Sequence, residues 1–232
     1  MLLSILIVTL ENRRTLFDRV HSQLAAQAAA AGLLADVEIL ALRDNGERPT
    51  GWKRNRLLEQ AQGEFVAFVD DDDTVSDDYL PRICAAIRAH PVIDCIGIRG
   101  IVRFRGGHPH EFIHSIRYTD YRTCDGVYLR PPYHLNPIRR SIAAQYRFAD
   151  VYYSEDIDWA RSMARDEALR AECFIDSVLY YYASRRRWIY QWALDHTETL
   201  RHSLGLRLDN RLRLERLFGK ALVRGCRAIA SR

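Results

Sequence analysis

The chain has 232 residues, 48% hydrophobic and 28% charged, and carries a net charge of +4. That length suits one domain with a substantial core, or one domain plus an appendage, and the balance excludes a disordered or fibrous chain. Its five cysteines, at 84, 95, 124, 173 and 226, are scattered and form no CxxC pair; this excludes a disulfide framework or zinc ribbon and points to a reducing, cytoplasmic home.

The opening stretch MLLSILIVTL is too short to span a bilayer and has no basic leader, so Leu2 to Val8 reads as a buried first strand. Arg13 to Leu34 reads as a helix with an Ala-rich second half that Gly32 helps to end. Val37 to Leu42 is a second strand, followed by the turn-rich loop RDNGERPTG from Arg43 to Gly51. Trp52 to Gln62 is helical, with Gly63 just past its end, and Phe65 to Val69 is a third buried strand. This alternation predicts an α/β fold, a Rossmann-like, mixed but mainly parallel sheet flanked by helices. There is no GxxxxGK[ST] loop and no GxGxxG, which argues against a P-loop NTPase or a dinucleotide enzyme.

The third strand runs straight into Asp70, Asp71, Asp72 and Asp73. Four adjacent carboxylates repel one another, and at the carboxyl end of a buried strand they call for a positive partner. Hard oxygen ligands of this kind suit Mg²⁺ or Mn²⁺ holding a phosphorylated ligand, and strand ends are where open α/β sheets bind ligands. The plainer alternative is a solvated loop capping the helix expected over Ser76 to His90. Beyond that helix the pattern turns strand-rich, with Ile93 to Phe104, Gly106-Gly107 and Glu111 to Ile116 reading as a hairpin. Strand alternation splits His108, His110, Glu111 and His114 between two faces, so the hairpin is preferred there to a metal cluster. Pro131-Pro132 and Asn136-Pro137 then punctuate a loop leading to a short helix with Arg139 and Arg140.

VYYSEDIDW, Val151 to Trp159, is a second acidic stretch. Ser154 is the expected N-cap of a helix running to about Arg170, which sets Glu155 and Asp156 in its first turn, where the helix dipole favours carboxylates. That position is a sufficient structural reason for them. A second acidic group beside Tyr152, Tyr153 and Trp159 also allows one site to hold a metal while the other handles a proton.

Charge is uneven. Residues 185–232 hold twelve Lys or Arg against four Asp or Glu, a net +8, and the other 184 residues carry −4. Leu214, Leu217, Phe218, Ala221 and Leu222 share one helical face among arginines, which predicts a basic amphipathic helical tail over 185–232. Such a helix suits peripheral contact with the inner face of an anionic membrane, or packing on its own domain or a second copy. The acidic remainder argues against nucleic acid as partner.

SILIVTLENRR, the DNG turn at Asp44 to Gly46, GWKRNRLLEQAQGEFVAFVDDDD, HLNPIRRSI at 134 to 142 and SEDIDW occur here in order. Together they resemble the inverting, GT-A-fold glycosyltransferases of family 2, over about residues 2 to 183. The resemblance implies a catalytic domain over 1–184, with a nucleotide-binding half at 1–90 and an acceptor half at 91–184. It implies transfer of a sugar from a nucleotide-sugar, UDP by default, to a glycan or lipid-linked acceptor in surface glycan assembly. Thr9 and Asp44 would contact the base, Lys53 and Arg54 would support the base or diphosphate, and Asp70 and Asp71 would meet the donor. Asp72, with Asp70, would hold Mn²⁺ or Mg²⁺, the motif being read as Asp70/Asp72 rather than Asp71/Asp73, and Asp156 would be the general base. His134, Glu155, Arg139 and Arg140 are candidates for acceptor or phosphate contacts, and Arg185 to Arg187 could equally reach a phosphate. Val8 departs from the family, where proline often precedes the threonine. The rivals are a nucleotidyltransferase, which would show a Gly-rich phosphate loop, and a binding module acting through the tail.

Overall fold

A computed structural model describes residues 1–105 and 107–187. Contacts divide the chain into two compact units, Met1–Val102 with His110–Ala183, and Arg103–Pro109 with Ser184–Arg232. Among the described residues, the first contains the helices, most of the sheet and the cleft described below. The amphipathic tail expected at 185–232 lies outside the described residues, apart from the backbone of Arg185 to Arg187. Among the described residues no helix is long and apolar enough to cross a membrane.

β1 (Leu3–Leu10) is apolar on both faces and lies between two parallel partners, β2 (Val37–Asp44) and β3 (Phe65–Phe68). Such a strand must be covered on both sides, which explains its near-continuous Leu, Ile and Val. Leu3 pairs with Val37 and Phe65, and Leu10 pairs with Asp44, so the carboxyl ends of the three strands share one edge of the sheet. Beyond β3 the sheet continues through β9 (Ile138–Arg139), β5 (Cys95–Arg105), β6 (Pro109–His114), β8 (Val127–Arg130) and β7 (Arg122–Cys124). β9 runs antiparallel to β3, and the expected hairpin strands β5 and β6 are neighbours. The sheet is thus mixed, with its parallel half where the strand-helix alternation placed it.

The helices differ from expectation mainly at their ends. α1 (Arg14–Ala30) stops earlier than Leu34, and Gly32 adopts a φ of 67°, letting the Leu33 N–H turn back to the Ala28 carbonyl. α2 (Thr50–Gln60) begins two residues before Trp52. The helix expected from Ser76 is α3 (Tyr79–Ala89), because Thr74–Val75 is drawn into a short strand, β4, against Tyr180 and Tyr181 of β10 (Glu172–Arg187). The four aspartates therefore do not cap it. α4 (Arg140–Ala143) follows β9, and α5 (Glu155–Arg165) ends before Arg170 at a left-handed Glu167.

The core against α2 and α5 is aromatic. Trp159 stacks on Phe148 at 4.6 Å, and Phe148 meets the edge of Phe68 at 5.5 Å. α2 is also clamped to the chain ahead of α5. Asn55 bonds both the carbonyl and the N–H of Phe148, and the Gly51 N–H donates to the Val151 carbonyl at 3.1 Å. A Cβ at Gly51 would lie 1.8 Å from the Ala149 carbonyl oxygen, a backbone atom that cannot yield cheaply. Gly51→Ala is expected to cost about 1–3 kcal/mol of stability and to push residues 149–154 off α2. Thermal melting checks this; an unchanged melting temperature would show that the clamp gives way freely.

Candidate active site

A cleft of about 400 Å³ opens at the shared strand edge. One wall is formed by Thr9, Arg13 and Asp70 to Asp72, and the other by Tyr152 to Asp156, with Arg48, Lys53 and Arg54 from the α2 side.

The four aspartates point in different directions. Asp70 accepts from Arg54 Nη2 at 3.1 Å, and Asp71 from the Thr9 hydroxyl at 2.6 Å. Arg13 Nη2 sits between two neighbours, 2.6 Å from Asp71 and 2.7 Å from Asp72. Asp73 is turned out of the cleft and buried, accepting from the Tyr180 hydroxyl and the Ala183 N–H. Only the pair Asp70 and Asp72 therefore puts both carboxylates of an Asp-x-Asp reading on the cleft wall. Electrostatics separates them further. Burial works to raise Asp70, but Arg54 and His134 outweigh it and hold it well below the usual range; burial pushes Asp71 up and Asp73 up strongly. Much of the positive charge that the cluster calls for is supplied by arginine. Among the described residues no three His, Cys, Asp or Glu side chains converge to hold a metal ion.

Arg54 links the two walls. Its Nε donates to Glu155 at 3.0 Å while Nη2 holds Asp70, and its guanidinium lies 5.0 Å from the centre of the Phe68 ring. Burial opposes its charge, but Asp70 and Glu155 together hold it firmly protonated. Burial pushes Glu155 up to about 7 although Arg54 works to lower it. Asp156 is different: its side chain is 17% exposed, on the cleft wall, and accepts from the Tyr133 hydroxyl and the Ile157 N–H. Behind both lies His134, 2% exposed, with Nε2 3.5 Å from Asp70 and Nδ1 3.6 Å from Asp156. Burial and then Arg54 lower its pKa, against the pull of Asp70 and Asp156.

Several residues expected to meet a ligand have partners within the protein frame. The Thr9 hydroxyl is committed to Asp71. Asp44 accepts from Lys53 Nζ at 2.6 Å and from the Gly46 and Arg48 N–H groups, so it shapes the loop at the cleft rather than lining it. Burial tends to raise Asp44, but these bonds bring it below the usual range. His134 lies behind the wall, not on it. Arg139 and Arg140 are at the wrong end of the sheet: Arg139 pairs with Phe65, the first residue of β3, and bonds Glu64 and the Ile93 carbonyl, while Arg140 bonds the Gly63 carbonyl. Ser154 precedes α5 in a left-handed conformation and makes no side-chain cap. His114 is buried against Asn136 rather than grouped with the other histidines. Sequence reasoning missed Arg13, Tyr133 and Tyr180; ENRR, quoted above only as part of a motif, was the one available signal.

The fold and the acidic cleft point to one class, the glycosyltransferases, and the comparisons agree. The family model "Glycosyl transferase family 2" matches residues 22–147. The chain belongs to that family. It is 29% identical over 166 residues, 65% of its length, to the poly(ribitol-phosphate) beta-N-acetylglucosaminyltransferase TarS of Staphylococcus aureus, and spans about a quarter (26%) of that curated relative. The crystal structure of TarS 1–349 with UDP-GlcNAc matches with a TM-score of 0.54 at 19% identity, covering 86% of this chain and 67% of that one. Glucosyl-3-phosphoglycerate synthase of Mycobacterium tuberculosis, crystallised with Mn²⁺, UDP and phosphoglyceric acid, matches with a TM-score of 0.50 at 14% identity, covering 90% and 80%. The fold is GT-A.

Proposed function

We propose that this cleft transfers a sugar from a nucleotide-sugar, a UDP-sugar for preference, to a hydroxyl of a glycan or lipid-linked acceptor, with inversion at the anomeric carbon. The observation that carries the reading is the gathering of Asp70 to Asp72 and Asp156 in the lining of one cleft, with Arg54 bound to Asp70 and to Glu155. The preference for UDP rests on the UDP-GlcNAc and UDP complexes of the two structural relatives.

Asp156 takes the proton of the acceptor hydroxyl as that oxygen attacks C1 from the face opposite the leaving group. The bond from C1 to the diphosphate oxygen breaks, and the nucleoside diphosphate leaves. Tyr133 and the Ile157 N–H fix the carboxylate for this task, and its partial exposure leaves it open to the acceptor. Glu155, buried against Arg54, is placed to hold the guanidinium rather than to reach an acceptor. Arg13 and Arg48 are the cleft cations nearest to hand for phosphate oxygens.

Asp72, with Asp70, fits Mn²⁺ or Mg²⁺ only as part of a ligand set, because such ions are commonly held by one or two carboxylates with substrate phosphates completing the shell. When bound, the ion would neutralise charge on the departing diphosphate. Incubating the chain with a panel of nucleotide-sugars and glycoside acceptors, and reading the anomeric configuration of any product by NMR, tests the proposal. An inverted glycoside is expected; a retained configuration, or transfer of a nucleotidyl group instead, would overturn it.

A further inference from the structure

We infer that Tyr153 is the platform on which a pyranose ring of the acceptor lies, held in place by Tyr152 and the segment that carries both. The inference rests on the transferase reading above and adds the acceptor's class: a glycan that presents a sugar ring, not a bare phosphorylated alcohol, beside the reacting hydroxyl.

The segment 148–154 is fixed at several points. Asn55 holds Phe148, the Gly51 N–H holds Val151, and the Tyr152 hydroxyl donates to the Gly46 carbonyl at 3.2 Å, tying it to the loop after β2. A segment so well anchored could have buried its apolar side chains. Instead Val151, Tyr152 and Tyr153 stay outside, Tyr153 at 87% exposure, and both tyrosines line the cleft. Contiguous apolar surface left exposed at the edge of a cleft is a mark of a ligand-binding site.

The backbone supports the same assignment. Ser154, between Tyr153 and Glu155, has a φ of 67° and no side-chain cap bond, a conformation that is uncommon for a residue other than glycine. Glu155 goes into the protein there, while Tyr153 is left on the outside of the same reversal. Tyr153 and Asp156 line the same cleft, so a ring lying on the tyrosine occupies the space into which the proton-accepting group opens. A tyrosine ring offers a flat apolar face to the C–H face of a pyranose and a hydroxyl at its edge. The nucleotide belongs on the opposite wall, along the carboxyl ends of β1 and β3.

The test compares wild type with Tyr153→Ala, Tyr153→Phe and Tyr153→Trp. Binding of methyl glycopyranosides is read by saturation-transfer NMR in the presence of UDP and Mn²⁺, and UDP affinity is measured separately by calorimetry. For Tyr153→Ala, an affinity loss of about tenfold is expected for the glycoside that wild type binds best, with UDP affinity within about twofold. Phe and Trp should restore most of the loss. Unchanged glycoside binding in the Ala variant, or wild type that binds UDP but no glycoside, overturns the platform and leaves the transferase reading standing. A parallel fall in UDP affinity assigns the ring to the donor and overturns it as well. Wild type that binds neither UDP nor glycoside sinks both.

Discussion

Asp156→Asn is expected to lower glycosyl transfer by about 10²–10⁴-fold, the usual worth of a positioned base, while leaving nucleotide affinity within about threefold. Asparagine keeps the shape: its Oδ1 can still accept from the Ile157 N–H while its Nδ2 donates to the Tyr133 oxygen, so the wall of the cleft stays intact. What it cannot do is take a proton. Single-turnover transfer and nucleotide binding, measured on the same preparation, separate the two effects. Transfer at near wild-type rates would move the base to Glu155. That outcome would be surprising on geometry, because Glu155 is buried and its carboxylate is engaged by Arg54.

Asp72→Ala is expected to reduce nucleotide affinity in Mn²⁺ by about a hundredfold, to the level that EDTA leaves in the wild type. The fold should tolerate it. Asp72 is partly exposed, and the Arg13 guanidinium that it shares keeps Asp71 as a partner. An unchanged melting temperature with loss of the metal effect would identify Asp72 as a ligand. Retention of the metal effect would pass that role to Asp70 or Asp71. Asp73→Ala is the contrasting variant: its carboxylate is buried on Tyr180 and Ala183, so it should lose stability before it loses nucleotide.

The parallel half of the sheet was legible because each of its strands is an apolar run closed by turn residues, a local signal. The site was legible in part for the same reason: Asp70 to Asp73 end such a run, and Glu155 and Asp156 open a helix. What could not be read was which distant group each side chain would meet. Asp71 and Asp72 find Arg13 some sixty residues away, and Asp73 finds Tyr180 more than a hundred residues on. No periodicity records such pairings. Arg139 and Arg140 failed as phosphate ligands because a strand has two ends, and only its antiparallel pairing with β3 shows that they lie at the far one. Thr9 and Asp44 were placed at the correct edge, but their partners there, Asp71 for the one and Lys53 with the loop backbone for the other, were not foreseen. Being at the site and touching the ligand are separate properties, and sequence speaks mainly to the first.

Titration calorimetry of the chain against UDP, with Mn²⁺ and again with EDTA, tests the central claim most directly. Binding in Mn²⁺ that weakens by at least about tenfold in EDTA is the predicted result. No binding of UDP, GDP, dTDP or CMP under either condition would contradict it, leaving the aspartates and their arginines as a structural network.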